Sequence, residues 1–270
     1  MSDKYNDLIE SPDTQSHIKY YLGYQYRFGR NFIVPYLEKA KVFSEGSLIA
    51  EIGSAEAGVL AALKLAGAGY ALATDINTQR LEYGKEIATK AGIDIDFVEH
   101  NILLDDIPKN WIEQFDLVIL RDVIEHLDDT SLALERIEKL IKPGGFLYLT
   151  FPPYHSPFGG HQHTVANLAG KVPYTHLLPN FLFYPFLYGG RANDQGEVKR
   201  LQSIKLTPKK LIKAALQTGY SIFLEDYYIL RPVFKEKFGL PSLRLGGFAR
   251  ISFVKNYLCL EASFILQKRK

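Results

Sequence analysis

The sequence holds a single cysteine, Cys259, among 270 residues. Neither an intrachain disulfide framework nor a cysteine-rich zinc site can be assembled from it. Cys259 falls in an apolar, strand-like run, where a thiol serves as a small core hydrophobe. An excess of one charge is also missing. The formal net charge is +2, which makes no global electrostatic case for a nucleic-acid partner. The basic run Gln267-Lys-Arg-Lys270 is short and reads as solvated. Met1–Tyr20 is polar and has no apolar stretch of the signal-peptide kind. The longest apolar–aromatic run is interrupted by prolines and a glycine pair, so it is not a spanning helix. A cytoplasmic location is the resulting expectation. No internal repeat or low-complexity tract is visible.

What is present is enough apolar residue, 47%, to bury a substantial core in one elaborated domain. The chain is organised around Ser47-Leu-Ile-Ala-Glu51-Ile-Gly53-Ser54-Ala55-Glu56-Ala-Gly58. Leu48–Ala50 reads as a buried strand that runs through Glu51 into a glycine-marked turn, and Val59–Ala66 continues with helical spacing. Such a turn points backbone N–H groups and a helix N-terminus at whatever lies beyond the strand. Gly53 permits the tight turn, Ala55 keeps the wall thin, and Gly58 is expected to allow close helix–strand packing. Gly53-x-Ala55-x-x-Gly58 fits a loosened dinucleotide fingerprint. Glu51 points elsewhere, because a carboxylate there repels a pyrophosphate but suits a cationic amino-acid ligand. A tight turn with no ligand is the remaining reading.

Further elements follow in order. Residues 1–16 are polar and expected to be loosely ordered. His17–Val42 is an aromatic helical stretch that precedes the first strand; it serves as an amphipathic packing helix or folds over the ligand crevice, with Arg30 available to a carboxylate. Tyr70–Thr74 is a second strand ending in Asp75, placed where an acid can accept both ribose hydroxyls; the competing role is a cap for the helix Thr78–Ala91, which Asn77 can also supply. Ile93–Glu99 is a third strand leading to Asn101 and Ile102, suited to the rim and face of a purine. Phe115–Leu120 is a fourth strand. Thr130–Lys142 is a helix stopped by Pro143-Gly144-Gly145, and Phe146–Phe151 is a fifth strand. This alternation implies a parallel, doubly wound sheet with its ligand at the carboxyl ends.

Beyond Pro152 the pattern breaks into an insertion too long for an ordinary connection. It carries His155, His161, His163 and His176, and then the aromatic run Phe181–Tyr188. Thr207-Pro208 opens another helix, Ser221–Ile229 is a strand, and Ile251–Leu266 is expected to be one long final strand. The segments are thus an N-terminal helical cap (1–42), a nucleotide-binding core (43–152), an insertion or substrate lid (153–205) and a closing helix with strands (206–270).

Four features in this order resemble the class I S-adenosylmethionine (SAM)-dependent methyltransferases, especially the small-molecule type 11 and type 12 groups. They are Glu51-Ile-Gly53-x-Ala55-x-x-Gly58, Asp75, Phe115-Asp-Leu-Val-Ile-Leu-Arg-Asp-Val-Ile-Glu-His-Leu127, and Leu140-Ile-Lys-Pro143-Gly144-Gly145 before a strand. The resemblance covers about Val42–Phe151. It implies a Rossmann-like α/β sheet of seven strands with the last antiparallel, SAM as cofactor, and a small-molecule methyl acceptor. Carried over by position, Glu51, Gly53, Ser54, Ala55 and Gly58 face the methionine moiety, and Asp75 holds the ribose. Ile76, Asn101 and Ile102 flank the adenine, although many relatives have Asp at the Asn101 position. Leu120, Arg121 and Asp122 lie near the methionyl group. Ala55 replaces the usual second glycine, so Glu56 must point away from the ligand or bind its ammonium group.

A hydroxyl nucleophile needs a general base, and histidine is suited near neutral pH. His161 and His163 follow Gly159-Gly160 on the crevice side and are candidates for base or substrate contact. His126 belongs to the Glu-His-Leu turn, which also has a structural reading. His161-x-His163 hints at a metal, but no third ligand stands at a readable spacing, so none is assigned. O-methylation is the expected reaction. The aromatic run suits an apolar, lipid-like or glycosidic acceptor, a packed lid or a dimer interface, and alternating lysines and aromatics leave membrane-surface contact open. A nicotinamide-dependent oxidoreductase and a non-catalytic SAM-binding scaffold are the competing functions.

Overall fold

The computed structural model describes residues 3–165, 167–187 and 191–270. Helices α1 (Lys4–Glu10), α2 (Ser16–Phe28) and α3 (Val34–Lys39) precede the sheet, with a π-helical turn at Gly29–Ile33 between the last two. Then come β1 (Leu48–Ile52), α4 (Gly58–Leu65), β2 (Tyr70–Asp75), α5 (Thr78–Ala91), β3 (Asp96–Glu99), β4 (Phe115–Arg121), α6 (Thr130–Leu140) and β5 (Ile141–Phe151). The insertion contributes α7 (Asn180–Leu187) and α8 (Ala192–Ile204). The chain continues with α9 (Pro208–Gln217), β6 (Tyr220–Leu230), α10 (Phe234–Phe238), β7 (Leu243–Arg244), α11 (Ser252–Tyr257) and β8 (Glu261–Lys268).

The strands form one sheet in the order β3-β2-β1-β4-β5-β8-β6-β7. The pairs from β3 through to β5 are parallel, and β8 is antiparallel to both β5 and β6. Side chains alternate across each central strand. Ile49, Ile119 and Tyr148 therefore pack on one face with Leu22 and Leu60. Ala50, Val118 and Leu149 pack on the other with Leu134 and Phe264. Strand order reverses between β1 and β4, which opens a crevice at their carboxyl ends.

The doubly wound sheet with an antiparallel final strand is as expected, but it has eight strands rather than seven, because the two-residue β7 pairs along the edge of β6. Within the stretch expected to be loosely ordered, Lys4–Glu10 form a helix. Asp3 caps α1 by accepting from the Asn6 N–H, and Tyr5 and Ile9, one turn apart, are buried. Arg30 does meet a carboxylate, that of Asp3 at 2.5 Å. The expected strand Ile251–Leu266 is instead α11 followed by β8. Ile251 and Phe253 are exposed, so their alternation has no sheet face to serve, and pairing starts at Glu261, where the chain enters between β5 and β6. Helix α6 stops at Leu140 rather than Lys142, and Pro143-Gly144-Gly145 lies within β5, whose regular register with β4 resumes at Leu117 and Phe146.

The insertion has a small core of its own, where Phe183 and Leu187 of α7 meet Val165 and Val198, while Phe181 and Leu182 stay exposed. Tyr188, the last residue of the expected aromatic run, lies outside the described residues. Among the described residues no helix is long and apolar enough to cross a membrane.

Gly58 serves a close approach different from the one expected. A Cβ there would lie 2.7 Å from Gln25 Cβ and 2.8 Å from the Tyr26 backbone nitrogen, so the missing side chain admits α2 against the start of α4. Gly58→Ala is expected to destabilise the protein by about 1–3 kcal/mol through overpacking. The resulting fall in melting temperature is roughly 2–4 °C per kcal/mol. An unchanged melting temperature contradicts this account of how α2 is seated.

Candidate functional site

A cavity of about 440 Å³ opens at the carboxyl ends of β1, β2 and β4. The turn after β1 forms its floor. Gly53 takes φ +68°, and a Cβ on it would meet Val123 Cγ2 at 2.4 Å, so the turn closes only around glycine. Ala55 and Ala57 also take positive φ. The resulting coil is pinned by hydrogen bonds from the Ser54 N–H to the Thr74 carbonyl and from the Ala55 N–H to Asp75 Oδ2, at 2.9 and 2.8 Å.

Glu56 points away from the cavity. It is buried, accepts 2.8 and 2.6 Å bonds from Arg80 and is also bonded by Gln25 Nε2. Gln25 Oε1 in turn accepts from the Gly58 N–H, so a side chain of α2 satisfies one open donor at the start of α4. The N-terminal helices are thus both packing elements and a cavity wall. Tyr24 and Gln25 line it, as the reading of His17–Val42 as a segment over the crevice allowed, although nothing in the sequence singled out Gln25.

Asp75 stands at the rim, and its Oδ1 accepts from the Asn77 N–H. Asn77 is the cap of α5, accepting from the Arg80 N–H, so capping does not account for Asp75. Ile76, Asn101 and Ile102 also line the cavity. Asn101 Oδ1 is engaged by the Leu103 N–H, and the Ile102 carbonyl accepts from Arg136 Nε. Of the residues expected around a cofactor, Gly58 and Leu120 do not line the cavity. Gly58 is packed under α2, and Leu120 is fully buried in the sheet's second core while Arg121 and Asp122 turn toward the opening.

The inner wall is rich in charge. Glu51 is buried, and its Oε2 has no hydrogen-bond partner. Burial pushes its carboxyl up to about 7, against the opposing pull of Arg121 and a backbone hydrogen bond. Arg231 pairs with Asp122, and its Nε lies 2.9 Å from Glu261 Oε2. Burial opposes the charge on Asp122, but Arg231 and Arg121 outweigh it and hold the group below the usual carboxylate range. Burial raises Glu261 despite Arg231.

The candidate histidines separate into two groups. His126 lines the far end of the cavity, with its Nδ1 2.5 Å from Glu197 Oε1 on α8. His161 does not line the cavity but stands behind His126, their ring centroids 4.9 Å apart, and His163 is 5.7 Å from His161. Burial first, then the neighbouring His126 and His163, push His161 down to about 3, so it is neutral at pH 7. His155 and His176 belong instead to a separate cavity of about 530 Å³ lined by the insertion and Tyr257 of α11, where His176 Nε2 is bonded to the Tyr154 carbonyl at 2.6 Å. Arg200 of α8 reaches Asp128 and the His126 carbonyl, so the insertion is tied to the mouth of the main cavity.

The sheet order, with β8 antiparallel between β5 and β6, and the cavity at the switch point place the chain in a Rossmann-like α/β fold shared with the solved structures described below. Residues 50–149 match the family described as "Methyltransferase domain". A segment of 78 residues is 28% identical to the ubiquinone biosynthesis O-methyltransferase of Brucella anthropi, covering 29% of this chain and 30% of that protein. The match therefore spans less than a third of the curated relative. Among solved structures, a putative sarcosine dimethylglycine methyltransferase from Galdieria sulphuraria superposes with a TM-score of 0.59 at 11% identity, covering 89% of this chain and 85% of that one. Magnesium protoporphyrin IX methyltransferase from Synechocystis PCC 6803, with bound S-adenosylhomocysteine (SAH), gives 0.53 at 14% identity over 98% and 93% of the two chains.

Arg231 supplies the test of the inner wall. Arg231→Met leaves Asp122 and Glu261 without their counter-charge. The expected loss of stability at pH 8 is near the low end of about 3–5 kcal/mol, because Asp122 keeps some solvent contact. Both carboxyl pKa values then rise above their unfolded values, so the loss is smaller at pH 5, where protons replace the missing guanidinium. Equal losses at both pH values in denaturant titrations contradict the assignment.

Proposed function

We propose that this protein is a SAM-dependent methyltransferase acting on a hydroxyl oxygen of a small-molecule acceptor. One observation carries the reading. One cavity joins the Asp75 rim, the Gly53 turn with the buried carboxylate of Glu51, whose Oε2 has no hydrogen-bond partner, and the Asp122–His126 end. A pyrophosphate would meet that carboxylate as a like charge, whereas the ammonium group of an amino-acid ligand supplies the missing partner. The chain's residues fit SAM better than a nicotinamide dinucleotide.

When bound, SAM supplies a methyl group activated on a sulfonium. In this reading Asp75 accepts the ribose hydroxyls, and Ile76, Asn101 and Ile102 flank the adenine. Glu51, Ser54 and Ala55 surround the methionyl end, beside the backbone of Leu120–Asp122. The chain's remaining tasks are to align the acceptor in line with the methyl and to take up its hydroxyl proton. His126 and His161 stand at the acceptor end, with His163 behind them. Residues 153–205 act as a lid, supported by the reach of Glu197 and Arg200 to the His126 turn. The likeness to ubiquinone biosynthesis O-methyltransferases supports oxygen as the methylated atom. Exposed Phe181 and Leu182 support an apolar acceptor. Residues 1–42 form the cap, 43–152 the cofactor core and 206–270 the segment that completes the sheet.

Two expectations test the cofactor site. Asp75→Ala should weaken SAH binding by ~1.5–3 kcal/mol, the value of a charge-assisted hydrogen bond; unchanged affinity in the folded variant removes Asp75 from the site. A cationic ligand binds the ionised form of Glu51, whose carboxyl lies at about 7 in the free protein. Affinity should hold above that pH and fall below it, approaching about tenfold per pH unit. Glu51→Gln should flatten the profile, and a slope that survives the substitution rules Glu51 out as its source.

A further inference from the structure

Glu125 is the least expected residue beside the cavity. It is only 3% exposed, and neither carboxylate oxygen has a hydrogen-bond partner. A buried carboxylate without a donor is costly, so the arrangement calls for a cation or a proton. Two imidazole nitrogens face it. Glu125 Oε1 is 3.8 Å from His126 Nε2 and 3.9 Å from His161 Nε2, and all three atoms lie within 4.8 Å of one another.

We propose that Glu125, His126 and His161 hold one divalent transition-metal ion at the acceptor end of the cavity. Bonds of about 2.0–2.2 Å to a shared ion place neighbouring ligand atoms some 3–4 Å apart, close to the spacing found. Two neutral imidazoles and one carboxylate suit zinc, manganese or ferrous iron better than calcium or magnesium, which prefer all-oxygen shells. The surroundings complete the arrangement. Glu197 bonds the other ring nitrogen of His126, so that ring donates from Nδ1 and leaves Nε2, on the Glu125 side, to take the ion in place of a proton. His161 sits at φ +53°, its N–H bonded to the Phe158 carbonyl, so a strained backbone aims its ring inward. His163, the partner that the His-x-His spacing points to, is not one of the three.

Three protein ligands leave open positions, as in catalytic rather than structural metal sites. An ion there lowers the pKa of a coordinated hydroxyl. That use of the ion rests on the methyl-transfer reading; its binding does not. On transfer, the acceptor O–H proton leaves to solvent or a nearby base, the oxygen forms a bond to the methyl carbon, and the carbon–sulfur bond breaks to leave a neutral thioether.

The test is calorimetric titration of chelator-stripped full-length protein with Zn²⁺, Mn²⁺ and Mg²⁺, followed by SAH in the same samples. About one Zn²⁺ or Mn²⁺ should bind per chain, with Mg²⁺ weaker. Glu125→Gln keeps the side-chain shape, and His161→Asn tolerates the left-handed backbone; each should weaken the Zn²⁺ or Mn²⁺ affinity at least 100-fold. Glu197→Gln should weaken it about 10–100-fold. SAH affinity should be kept in Glu125→Gln and His161→Asn. Absence of saturable Zn²⁺ and Mn²⁺ binding overturns the site, as does an affinity unchanged in both ligand variants. Metal binding without SAH binding would leave the site standing and remove the methyltransferase reading; SAH binding without metal binding would do the reverse.

Discussion

Arg231 sits between the carboxylates of Asp122 and Glu261, and the geometry of the carboxyl ends of the sheet depends on that arrangement. Asp122 follows β4, Glu261 begins β8 and Arg231 follows β6, so one guanidinium joins three strand ends across the parallel and antiparallel halves. Planar, permanently charged and able to donate to two acids, arginine is suited to this position in a way lysine is not. With the strand ends held, the Asp122 backbone keeps its place at φ +53°, its N–H bonded to the Thr150 carbonyl, and the turn bearing Glu125 and His126 follows.

The opposite wall is organised by contact rather than charge. Gly58 lets α2 approach the start of α4, and Gln25 then bonds both Glu56 and the Gly58 N–H. Glu56 is thereby drawn toward Arg80 and away from the cavity. Glu51 and Glu125, by contrast, remain buried without hydrogen-bond partners for Glu51 Oε2 and both Glu125 oxygens. Among the other described carboxylates of the two walls, Glu56 is paired with Arg80 and Glu261 with Arg231, so it is these two acids on which the proposed ligand and ion sites rest.

Much of this was readable in the sequence wherever the signal was local. The range Thr78–Ala91 emerges with both ends correct because Asn77 caps it and Gly92 closes it in the left-handed conformation. The Gly53 turn and Asp75 were equally legible, since turn chemistry and strand-end position are both short-range. Helix α1 was missed because only Tyr5 and Ile9 carry its buried face, too few to show a period. The residues 251–266 misled because apolar alternation says nothing about whether a neighbouring strand is present. The Glu125–His126–His161 cluster joins positions 35 residues apart, and Glu197 lies 71 residues beyond His126, so no spacing rule connects them. Only the fold brings the insertion back to the end of β4.

The most direct test of the central claim is calorimetric titration of the purified protein with SAM and SAH, run beside NAD and NADP. Saturable binding of the two adenosyl-sulfur ligands, with silence from both dinucleotides, is the predicted result. Binding of NAD or NADP alone would contradict the account of the Glu51–Gly53 turn and the function built on it.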